Sequence, residues 1–130
     1  MKRFALGGTV VLAALAVACS DSNGPDDDRC EDAVTVVASS STTPTISWTP
    51  VCTVAQLRVA EAVDGDEMWA IISSGNTIPA SVVYGVTPTG ATATRLPLPL
   101  SVGIEYRVVV SVLDPSSGQF LVTGTTSFTP

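Results

Sequence analysis

Between Asp32 and Thr129 the chain switches, about every ten residues, between runs rich in Val, Ile and Thr and clusters of Ser, Gly, Asp and Pro. This rhythm constrains the fold more than any other feature of the sequence. β-branched residues fit a pleated, half-buried surface, while the Gly- and Pro-bearing clusters reverse the chain. After Ala18 no stretch repeats apolar residues at the 3.6 spacing of an amphipathic helix. The expected class is all-β: an antiparallel sandwich of about seven short strands.

The runs can be placed individually. "DAVTVVA" (Asp32–Ala38) and "TPTISWT" (Thr43–Thr49) read as a hairpin across the Ser39–Thr42 turn. Folding it about Ser41 sets Val34 opposite Trp48 and Val36 opposite Ile46 on one face. "VAQLRVAEAV" (Val54–Val63) leads into the turn "DGDE", Asp64 to Glu67. "MWAIIS" (Met68–Ser73) is apolar on both faces. Within the long passage from Ser74 to Gly90, "IPASVVYGVTP" is a candidate edge strand. "ATATRLPLPL" (Ala91–Leu100) is strand-like until Pro97 and Pro99 end its ladder. "EYRVVVSVL" (Glu105–Leu113) is the strongest central strand, "DPSSG" a hairpin turn, and "QFLVTGTTSF" the closing strand. With aromatics at only 5%, Trp69 and Tyr84 are expected inside rather than displayed to a sugar ring.

The front of the chain differs. Lys2 and Arg3 precede the uncharged run Phe4–Ala18, which as a helix would span about 22 Å, short of a hydrocarbon core. A basic start, a short apolar stretch and small residues describe an export signal, residues 1–18. Its end, "LAVAC" (Leu15–Cys19), resembles the lipobox of bacterial lipoprotein precursors. The resemblance implies cleavage before Cys19 and a diacylglycerol thioether on that cysteine, with each buried methylene contributing about 0.8 kcal/mol to anchoring. The expected address is the cell envelope, lipid-anchored, at the outer membrane or surface rather than the inner membrane. Residues 19–29 would be an acidic tether. They bury nothing, and Ser20–Arg29 could reach about 35 Å when extended. "DSNGPDDD" lacks the spacing and closing Glu of an EF-hand loop, so no metal is expected there.

Once Cys19 carries lipid, Cys30 and Cys52 remain as a pair in an oxidising compartment. The same hairpin register sets them opposite each other, and a structural disulfide is expected.

Two motifs resemble fibronectin type III and immunoglobulin-like sandwiches. "TISWTP" is similar to the second strand of fibronectin type III modules, whose inward Trp would be Trp48. "PLSVGIEYRVVV" resembles their Leu-x-x-Gly-x-x-Tyr corner, here Leu100, Gly103 and Tyr106. The resemblance implies a domain over residues 30–130 and a structural role for Tyr106, its hydroxyl bonding to upstream backbone.

Chemistry is narrowed by what is missing. From Cys19 onward the chain has four Arg, no Lys and no His against twelve Asp and Glu, a net −8. Triads and dyads built on His or Lys, Schiff bases and His-bound metals are excluded. So acidic a chain repels phosphate, which argues against nucleic acid. Glu61, Asp64, Asp66 and Glu67 lie close in sequence, but a turn on a small sandwich provides no cleft for a carboxylate pair to work across. The expectation is a non-catalytic protein without cofactor: a binding module for an envelope or extracellular protein or glycan, or a surface spacer. In either case the tether marks one pole. Asp64, Asp66 and Glu67, at the other, are the candidate partner-binding residues.

Overall fold

The computed structural model describes residues 28–130. The signal segment 1–18, Cys19 and the tether up to residue 27 lie outside the described residues. Eight strands form: β1 (Thr35–Ala38), β2 (Thr45–Thr49), β3 (Gln56–Glu61), β4 (Glu67–Ser73), β5 (Ser81–Val83), β6 (Ala91–Arg95), β7 (Tyr106–Leu113) and β8 (Phe120–Phe128). They make two antiparallel sheets, β1-β2-β5 and β6-β4-β3-β7-β8. The domain is an all-β sandwich with one strand more than the seven expected. β5, from the passage between Ser74 and Gly90, pairs with β2 through Ile46↔Val82.

Alternation along the strands decides what enters the core. Leu57 and Val59 of β3, Trp69 and Ile71 of β4, and Val108 and Val110 of β7 pair across one sheet and are fully buried. Ile46 and Trp48 of β2 meet them from the other sheet, with Ile78 and Val82. Each such aliphatic side chain contributes roughly 1.5–3 kcal/mol on burial. The Trp48 indole N–H, otherwise stranded, donates to the Cys52 carbonyl at 2.8 Å.

The β1–β2 register departs from expectation by two residues: Val36 faces Trp48, and Ala38 faces Ile46. Because side chains repeat every second residue, a slip of two leaves each on its own face. Cys30 and Cys52 are nonetheless joined, with Cα atoms 4.9 Å apart. The route differs from a continued hairpin. Arg29 and Thr53 form a parallel bridge, with Cys30 N–H donating to Thr53 O (2.9 Å) and Thr53 N–H to Asp28 O (2.8 Å).

β1 also closes onto the last strand. Val34 N–H donates to Thr123 O (2.9 Å), and Thr123 Oγ1 donates to Asp32 O (2.7 Å). Thr123 is the extra residue of a bulge, since Val110 pairs with Gly124 but Ser111 with Val122. Beside it, a Cβ on Gly124 would lie 2.7 Å from Val36 Cγ2 and 2.9 Å from Val34 O. Only glycine lets β1 come this close.

Candidate functional site

The domain has two unlike ends, separated by the six residues of β3, about 20 Å. Asp28, the disulfide and the Asp114–Gly118 turn gather at one end. At the other, Ala62 N–H donates to Glu105 O (3.0 Å) and Gly103 N–H to Pro130 O (3.0 Å), which ties together the turn after β3, the corner before β7 and the last residue. Gly103 makes that corner with φ 83°, a conformation open chiefly to glycine. Tyr106 stands beneath it, buried, its hydroxyl accepting the Ser101 N–H at 2.8 Å and its ring 5.6 Å from Phe128.

The far turn brings carboxylates together. Gly65 N–H donates to Glu61 O (3.0 Å) and Glu61 N–H to Asp66 O (2.9 Å), folding the chain tightly through Gly65 at φ 74°. Carboxylate oxygens of Glu61, Asp64 and Asp66 consequently lie within 4.8 Å of one another. Glu67 is not among them. As the first residue of β4 it faces Arg58, whose Nη2 lies 2.7 Å and whose Nε donates at 2.8 Å to its Oε2. Of the three candidate residues, the turn places Asp64 and Asp66 together with Glu61 beside them, while Glu67 stands apart in an exposed ion pair of little energetic weight. The cluster is exposed or half-exposed, as surface carboxylates gathered by a tight turn commonly are without any ion.

Beside this acidic turn stand three exposed β-branched residues that sequence reasoning passed over: Val63 (90% exposed), Val102 and Ile104. Their signal was available, for bulky apolar residues are out of place in turns that favour Gly, Asn and Ser. The turn at the opposite end shows the contrast. Its Asp114 carboxylate accepts from Ser116 N–H (2.9 Å), Ser116 Oγ (2.7 Å) and Ser117 Oγ (3.2 Å), and these bonds, the Ser116 side chain first, hold it below the usual carboxylate range.

Trp69 and Tyr84 are both inside, meeting edge to face at 5.2 Å. Tyr84 packs on the Trp69 side of β4 and not over Met68 and Ile72. Its hydroxyl donates to Leu98 O at 2.6 Å, with Met68 O at 3.2 Å, and burial pushes its phenol up to about 12. Neither ring offers a face to a sugar.

Together these features define a small disulfide-bonded sandwich whose far end joins a carboxylate cluster to exposed valine and isoleucine side chains. No protein-family model, curated protein or solved structure matches this chain.

Proposed function

We propose that this chain is a lipid-anchored, non-catalytic binding module of the bacterial cell envelope, and that it meets a protein partner through the end farthest from its tether. The observation that carries the reading is the placing of Asp28 and the acidic turn at opposite ends of the domain. A chain held through Cys19 would present Val63, Val102 and Ile104 outward, ringed by Asp64 and Asp66. An apolar centre with a charged rim is the usual composition of a protein–protein contact, whereas the burial of Trp69 and Tyr84 weighs against a glycan. The absence of His, and of any Lys beyond Lys2, supports a role without catalysis.

Two measurements test it. Fatty-acid labelling should mark the wild-type protein, and Cys19→Ser should lose both the label and the membrane fraction; label retained on the variant would remove the anchor. A photo-crosslinker at Val63 should capture a partner in intact envelopes where one at Ser81, exposed on β5, does not. No capture at Val63, or capture no greater than at Ser81, would remove the far end as a contact and leave the protein there as a spacer.

A further inference from the structure

β8 is an edge strand without a single charge: from Pro115 to Pro130 the sequence has no Asp, Glu, Lys or Arg. Antiparallel pairing alternates, so every second residue of an edge strand turns its N–H and C=O away from its neighbour. Asp114 N–H donates to Gln119 O, which in the register Val112↔Leu121 directs the polar groups of Leu121 toward β7. Those of Phe120 and Val122 therefore face outward. Among the described residues they meet no backbone partner there, because β1 reaches only as far as Thr123.

The side chains of this open stretch are apolar and exposed, Val122 by 65%. Leu121, paired with Val112 on the inner face, borders a notch of about 250 Å³. Val112, Leu121 and Cys30 wall it, and Arg29, Glu31 and Asp114 stand at its rim. The notch exists because the second layer of the sandwich begins only where β1 begins. A strand laid antiparallel against Phe120–Val122 would place the residue opposite Leu121 over this opening.

We propose that Phe120–Val122 is a strand-addition site for an extended, uncharged segment of another protein, with an aliphatic side chain seated in the notch beside Leu121. The unpaired backbone groups require an extended chain, the uncharged edge selects an uncharged one, and the notch holds one aliphatic side chain. A second copy of this chain fits less well. Pairing β8 with itself about Leu121 would run into the partner copy's own β1 one residue past Val122, at Thr123. The site lies at the tethered end and does not depend on the reading of the far one.

The probe is an acetylated, amidated heptapeptide of alternating threonine and valine with a central leucine, added to the full chain in detergent. Amide exchange at Phe120 and Val122 should slow at least tenfold on addition, and exchange at Leu121 should not change. Methylating the peptide nitrogens on either side of the leucine should abolish the effect, while methylating the leucine nitrogen should leave it. Val122→Pro deletes the outward N–H without touching a bond to β7, and should weaken peptide binding at least tenfold. Should that variant fail to fold, the methylated peptides give the answer on unaltered protein. Exchange unaffected by millimolar peptide, or slowed equally by all peptides, would overturn the proposal. So would protection of Phe120 and Val122 that rises with protein concentration in the absence of peptide, which would assign the edge to a second copy.

Discussion

The two edges of the five-stranded sheet end in opposite ways. β6 is five residues long, bulged at Thr94, and carries Arg95. The chain leaves it through Pro97 and Pro99, which have no N–H to offer, and the one donor between them, Leu98 N–H, goes to Met68 O at 2.9 Å. β8 is nine residues long, uncharged, and has no proline before its end. β1 covers its middle, and the four residues from Gln119 to Val122 stay open. Bulges, charge and proline are the ordinary defences of an exposed edge. One edge has all three. The other has only its bulge at Thr123 and relies on a neighbouring strand, and where that strand stops the sheet can accept another.

The largest expected effect comes from freeing the segment that leads into β1. Replacing Cys30 and Cys52 by Ser opens a bridge across 22 positions and should lower stability by about 3 kcal/mol. Exchange at Val34 should rise along with it. A loss under about 1 kcal/mol in urea unfolding would mean that the covering of β8 does not depend on the bridge.

Gly124→Ala tests the covering itself. Its Cβ would meet Val34 O at 2.9 Å, a backbone atom that cannot swing aside, and the expected cost is about 2 kcal/mol. A neutral substitution would show that β1 is seated on β8 more loosely than the contacts require.

Tyr84→Phe examines the protected edge, where the hydroxyl joins the Leu98 strap to β4. About 1 kcal/mol should be lost near neutral pH. The folded phenol keeps its proton up to about 12, above its ordinary value near 10, so its stabilising effect is complete below pH 10 and disappears as pH rises from 10 to 12. The wild type should lose stability over that interval more steeply than Tyr84→Phe. Parallel pH profiles would argue that Tyr84 titrates normally.

The smallest effect on stability is expected from Val122→Lys, within about 0.5 kcal/mol, because the side chain is exposed. Its effect on association should be plain: a charged edge should delay light scattering in concentrated, heated samples relative to wild type. An equivalent Arg95→Ala change on the β6 side should alter scattering little, since Pro97 and Pro99 still block that edge.

Local features were legible in the sequence, and long-range ones were not. The runs became strands because alternation and turn residues act within ten positions, and the all-β sandwich follows from them. The cysteine pairing was right, although the register behind it was not. A two-residue slip keeps Val36 and Trp48 on the core face, so no hydrophobic pattern distinguishes the two registers. Asp64 and Asp66 could be placed together because a tight turn is a local object. Glu67 could not be separated from them without knowing that β3 sets Arg58 beside it. The opening at Phe120 was invisible, since "QFLVTG" reads alike whether or not another strand lies alongside.

The closure of β1 on β8 also sets an order of events. Asp32 and Thr123, joined by a 2.7 Å hydrogen bond, stand 91 positions apart. A chain that appears N-terminus first can form the β1–β2 hairpin early, but Val34 has nothing to bond until Thr123 exists. Contacts this remote carry loop-closure entropy into the folding barrier and slow it. The domain therefore cannot close β1 onto β8 until Thr123 has been delivered, and until then β1 itself is the unguarded strand.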